Sequence, residues 1–148
     1  VKAAVLFDDP MNGTYEIDGH AVVFNNGGSE QDIAPGSASK QETSIFGAVT
    51  YADLNGDGHK DGIFFVTQSS GGSGTFYYIA AAIDVGGKYI GTNAILLGDR
   101  ISPQSIDVSG GIASINYAVR KEDEPMSAAP SIGVTKHVHL KNNSLVEG

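Results

Sequence analysis

The sequence predicts an all-β fold, a single antiparallel sandwich or barrel-like domain with long loops. Three observations carry this expectation. Short runs rich in Val, Ile, Phe, Tyr and Thr recur along the chain, separated by Gly, Asn, Asp and Pro. The dipeptides Asp18-Gly19, Gly110-Gly111 and Asn142-Asn143 lie between such runs and tolerate the positive φ of two-residue hairpin turns. No long segment repeats its apolar residues with the period of an amphipathic helix.

Residues 1–12 read as an N-terminal segment and 13–148 as a single β domain. Lys2 to Phe7 suits a short helix or a strand, and Asp8-Asp9-Pro10 stops either one. Thr14–Ile17 and His20–Phe24 form the first hairpin. Asn25 to Ser44 is polar and rich in Gly, Ser and Ala, and reads as a long excursion that packs or carries function. Ile45–Tyr51 and Gly62–Thr67 are strands, the second apolar enough to be buried. Gln68 to Gly74 is a Gly/Ser turn, Thr75–Ile83 a long strand and Gly86-Gly87 a turn. Tyr89–Leu97 is a further strand, although Gly91 and Asn93 are poor strand formers. Ser105–Val108 and Ile112–Val119 make a second hairpin. Residues 121–130 are an acidic loop with proline, and Val134–Leu140 with Leu145-Val146 makes the third hairpin.

A chain of 148 residues fits one domain. The net charge of −8, with nine Lys plus Arg, argues against a nucleic-acid surface and against anionic membrane. There is no apolar run of about 18 residues, so no membrane span is expected. The lack of cysteine excludes disulfides and Cys-ligated zinc or iron–sulfur sites. Val1 at the start fits a mature chain after signal removal or a trimmed one.

The most specific chemistry lies between two strands. Asp53-Leu54-Asn55-Gly56-Asp57-Gly58-His59-Lys60-Asp61 reads D-x-N-x-D-G-x-x-D, an oxygen-rich spacing suited to Ca²⁺. Asp53, Asn55 and Asp57 can converge on one ion, His59 can offer its backbone carbonyl, and Asp61 can close the shell. Gly58 supplies the sharp turn. In the helix-loop-helix version of this motif the twelfth position is a bidentate Glu; here it is Phe64, within a strand. The plain alternative is a tight polar turn, since Asp, Asn and Gly favour turns without metal. Three carboxylates in nine residues, with only Lys60 and His59 nearby, repel one another unless a cation joins them. All-oxygen, carboxylate-rich ligands favour Ca²⁺ over Mg²⁺.

This loop resembles the calcium loops of FG-GAP and integrin-type propeller repeats. In those loops the ninth position is the last carboxylate, which implies Asp61. The chain holds one copy, so the resemblance extends to the loop and not to a propeller. From about Asn12 onward the chain also resembles a group of bacterial envelope proteins of lipoprotein type. The shared segments are the Thr14–Phe24 hairpin, Ala34–Lys40, Asp53–Gly58, Gly71–Tyr78, Leu97–Arg100 and Glu124–Met126. That resemblance implies an extracytoplasmic location and no particular activity. A lipid anchor of that kind needs a cysteine, and these residues hold none.

Other candidates are weaker. Ser37-Ala38-Ser39-Lys40 matches the S-x-x-K spacing of serine acyltransferases, which requires a helical turn and companion motifs that are absent. Gly71–Gly74 leads into a strand with no lysine, so it reads as a turn rather than a phosphate cradle. His137 and His139 alternate on a strand and share a face, where they could supply two ligands to Zn²⁺ or Cu²⁺; a half-exposed pair on a sheet is the plain reading. His20 lies beside a turn. Asp99-Arg100 is a loop ion pair or a ligand contact. Glu122, Asp123 and Glu124 form a solvated acidic loop or a docking surface, and Tyr77 is a candidate ligand platform.

The expected function is therefore an extracytoplasmic calcium-binding β-domain, a binding or structural module in the periplasm, cell envelope or secreted space. The alternative is an inhibitor or docking domain with a protein partner in the envelope, such as a basic hydrolase. A hydrolase is the third reading.

Overall fold

The computed structural model describes residues 5–32, 40–69, 74–125 and 127–148. Among these described residues thirteen strands follow one another: β1 (Leu6–Phe7), β2 (Thr14–Ile17), β3 (His20–Val23), β4 (Gly28–Asp32), β5 (Lys40–Ala52), β6 (Asp61–Ser69), β7 (Thr75–Asp84), β8 (Tyr89–Gly91), β9 (Ile95–Asp99), β10 (Ser102–Ser109), β11 (Ile112–Val119), β12 (Ile132–Lys141) and β13 (Ser144–Glu147). A 3-10 turn at Pro10–Asn12 follows β1, capped by the Asp9 side chain on the Met11 amide. The all-β expectation holds, and every pairing between these strands is antiparallel; the isolated Glu16–Asn93 bridge is parallel.

The strands form three layers. A seven-stranded sheet runs β1-β8-β7-β6-β5-β4, with β9 also paired to β7. On one face lies the four-stranded sheet β10-β11-β12-β13, and on the other the β2-β3 hairpin. Period-two alternation divides β6 and β7 between these two cores. Ile63, Phe65, Ile79, Ala81 and Ile83 face the four-stranded sheet, where they meet Ala113, Ile115, Tyr117, Val138 and Leu145. Phe64, Val66, Tyr78, Ala80 and Ala82 face the hairpin and meet Tyr15, Ile17, Val22 and Phe24. That is why residues 61–66 are buried without interruption.

The turn chemistry explains the hairpins. Asp18-Gly19, Gly110-Gly111 and Asn142-Asn143 all adopt positive φ at both positions. Two expectations are refined. Part of the supposed Asn25–Ser44 excursion is strand: Asn26-Gly27 turns the chain into β4, which pairs with β5. Residues 33–39 lie outside the described residues, as do 70–73 of the Gly/Ser turn. The supposed Tyr89–Leu97 strand divides into β8 and β9. Both follow the same edge of β7, and between them Thr92 donates its backbone N–H to Ala81 O while its hydroxyl accepts the Ala81 amide, each at 2.9 Å. This detour carries the chain to the hairpin, where Glu16 N–H donates to Thr92 O and Ala94 N–H donates to Glu16 O.

Of the N-terminal segment, residues 5–12 are described; they join the domain through β1, which pairs with β8, and through Phe7, which packs against Tyr15 and Tyr89. No helix among the described residues is long and apolar enough to cross a membrane.

Candidate metal centre

The Asp53–Asp61 segment connects β5 to β6, adjacent antiparallel strands of the large sheet. Its conformation is built from its own side-chain oxygens. Asp53 Oδ1 accepts the amides of Asn55 and Gly56 at 3.2 and 2.8 Å, and Asp53 Oδ2 accepts that of Gly58 at 2.9 Å. Asn55 Oδ1 takes the Asp57 amide at 3.3 Å, and Asp57 Oδ1 takes the His59 amide at 2.8 Å. Gly56 and Gly58 sit at φ 77° and 84°, where a side chain would be strained.

Two residues fasten this loop to the molecule. Leu54 is buried and belongs to the core between the two large layers. Asp61 is fully buried at the start of β6. Its Oδ2 accepts the Leu54 amide at 2.9 Å, and its Oδ1 accepts the Asp84 amide at 2.8 Å. One carboxylate thus ties the β5-β6 loop to the β7-β8 turn. Leu54 and Asp84 carried no signal of this role in the sequence, beyond an apolar side chain at the second position of an otherwise polar loop.

The electrostatics are asymmetric. The Gly58 amide, with further help from Gly56, Asn55 and Asp57, holds the Asp53 carboxyl below its ordinary value. Burial pushes the Asp61 carboxyl up; the Leu54 and Asp84 amides oppose this, and the charges of Asp57 and Asp53 add to it. Among the ion pairs of the described residues, Lys88–Asp8, Arg100–Asp99 and Lys136–Glu147, none includes a loop carboxylate.

The donor set is oxygen throughout: carboxylates at Asp53, Asp57 and Asp61, the amide of Asn55 and the carbonyl of His59. Among the described residues no three His, Cys, Asp or Glu side chains already converge as a ligand cluster. Each loop oxygen that accepts one amide keeps a second lone pair, so the hydrogen bonds organise the segment without exhausting it. The residues fit a hard cation bound partly through amide and carbonyl oxygen.

Beside the loop lies an open cleft of about 780 Å³. Asp53, Leu54, Asn55 and Gly56 form one wall, with Gly111, Ile112 and His139 among the residues opposite. There the β10-β11 turn comes up against the loop, where a Cβ on Gly111 would stand 3.3 Å from Leu54 O.

The other candidates are dispersed. Lys40 opens β5, while Ser37 and Gly71–Ser73 lie outside the described residues. Asp99 accepts the Thr75 amide and pairs with Arg100, whose φ is 50°. Tyr77 packs edge-on against Phe46. His20 is exposed at the first hairpin. Glu124 folds back on the Lys121 amide, which makes 121–125 a local turn. No protein-family model, curated protein or solved structure matches the chain.

Proposed function

We propose that this chain is an extracytoplasmic β module in which the Asp53–Asp61 loop binds Ca²⁺ as a structural element. One observation carries the reading most directly. Asp61 is a fully buried carboxylate that feels the charges of Asp57 and Asp53, with no cationic partner among the described residues. A divalent cation would reverse the unfavourable charge balance at Asp61 and couple loop order to the interlayer core through Leu54. In this reading Asp53, Asn55 and Asp57 supply side-chain oxygen, His59 its carbonyl, and Asp61 both anchors the loop and closes the shell. The extracytoplasmic assignment follows from the envelope-protein resemblance and from the ready supply of calcium outside the cell.

The test is a thermal melt in excess EGTA against millimolar Ca²⁺, repeated on Asp57→Ala. A ligand at 100 times its Kd stabilises the native state by about 2.7 kcal/mol, enough to raise Tm by several degrees. A rise in the native chain that disappears in Asp57→Ala supports the reading. Equal curves in both proteins would leave the loop as a turn organised by amides alone.

A further inference from the structure

We propose that His137 and His139 form a second metal site, a two-imidazole chelate for Cu²⁺ or Zn²⁺ on the outer face of β12. It shares no residue with the calcium loop, although His139 borders the cleft whose other wall is Asp53–Gly56. β12 is paired on both sides, to β11 and to β13, so its backbone is fixed across the whole segment. Val138 is fully buried in the interlayer core, which places the residues on either side of it on the opposite face. His137 is exposed and His139 half-buried. Residues two apart on a strand stand roughly 6–7 Å from one another. Two imidazoles rooted at that spacing can reach one ion at Zn–N bonds of about 2.0–2.1 Å.

Both rings have neighbours that suit this role. Ser114 lies directly across from His137 on β11, and its Oγ is 3.1 Å from Nδ1. When Nδ1 carries the proton and donates it to Ser114, the Nε2 lone pair is left for a metal, the arrangement ligating imidazoles commonly use. On the other side, Gly148 N–H donates to the His137 carbonyl, which sets Gly148 beside His137. The Cε1 of His139 lies 3.6 Å from where a Cβ on Gly148 would stand. The His139 ring therefore leans along the strand toward the level of His137, over a residue with no side chain. The protein supplies two nitrogen ligands, and solvent or an added ligand takes the remaining positions. Nitrogen donors select Cu²⁺ and Zn²⁺ and discriminate against Ca²⁺, which prefers oxygen.

The test titrates the full chain with Cu²⁺, and separately with Zn²⁺, by calorimetry, with imidazole resonances followed by NMR in the Zn²⁺ series. One ion per chain is expected, moving the resonances of His137 and His139 and leaving those of His20 and His59 in place. Because both rings are at the surface, His137→Ala and His139→Ala should fold normally, as circular dichroism will check. Each should weaken binding by on the order of 10²-fold, the loss expected when a chelate becomes a single ligand. Ser114→Ala should weaken it roughly tenfold. Millimolar Ca²⁺ should leave the affinity unchanged. The proposal is overturned if either single variant binds as tightly as the native chain, if His20 or His59 responds at the same concentrations, or if Ca²⁺ displaces the ion.

Discussion

Strands β6 and β11 are both apolar and both central to their sheets, yet their sequences differ in kind. Gly62-Ile63-Phe64-Phe65-Val66 is apolar at every position, and both parities are buried. In Ala113-Ser114-Ile115-Asn116-Tyr117, apolar and polar residues alternate, and Asn116 faces outward to bond Ser105, Asp107 and Thr135. The difference teaches that the unbroken run reports a strand covered on two faces, and the alternating run a strand covered on one. Three layers rather than two follow from that contrast, with the small β2-β3 hairpin as the third.

If β6 is covered on both faces, truncation at adjacent positions must be costly on both. Phe64→Ala should cost about 3–5 kcal/mol and Ile63→Ala about 2–5 kcal/mol, measured by urea unfolding. A near-neutral Phe64→Ala would remove the hairpin layer from the picture. The same layer is tested from its edge by Gly91→Ala, because the new Cβ would collide with Thr14 O, a backbone atom that cannot swing aside. A loss of about 1–3 kcal/mol or more is expected.

The buried carboxylate comes next. Asp61→Asn turns one of two accepting oxygens into a donor facing the Leu54 or Asp84 amide. It should cost about 1–3 kcal/mol in EGTA and abolish any response to Ca²⁺. Stability retained together with calcium response would show that neither amide depends on the charge.

Alkaline pH sharpens the comparison further. Tyr15 is buried in the hairpin core and donates to Pro10 O at 2.7 Å, and burial drives its hydroxyl well above the ordinary value of 10.0. The unfolded chain releases this proton first. The contribution is therefore complete below about pH 10 and is lost as pH rises beyond that. Tyr15→Phe should flatten the alkaline limb of a stability–pH curve, at about 0.5–1.5 kcal/mol at neutral pH. The smallest effect belongs to the one-sided sheet: Thr135→Ala, on its outer face, should stay within about 0.5 kcal/mol.

Much of the fold could be read from local chemistry. The Asp18-Gly19, Gly110-Gly111 and Asn142-Asn143 turns announce themselves because few other residues accept positive φ twice in succession. The β8-β9 division could not, because it depends on the Thr92 hydroxyl accepting the Ala81 amide while the Thr92 carbonyl turns to Glu16. β4 was hidden because Gly28-Ser29-Glu30-Gln31 has no apolar face, and it is held at the edge by β5. In the loop, the oxygen-rich residues were visible as a pattern, whereas the anchoring by Leu54 and Asp84 depends on packing between layers distant in sequence.

Asn93 has a kinetic consequence. Its backbone bridges to Glu16 in the hairpin layer, while its side-chain amide donates to Leu145 O at 3.1 Å and its Oδ1 accepts the Leu145 amide at 2.9 Å. One residue thus joins three segments that are far apart along the chain, and closing such long loops costs entropy before the contacts reward it, so we expect these bonds to form late. Interactions formed after the rate-limiting step act on the rate of unfolding rather than of folding. Asn93→Ala should leave refolding in stopped-flow experiments nearly unchanged and hasten unfolding. On that view Asn93 is a clasp across the three layers, and the lifetime of the native state depends on how often it opens.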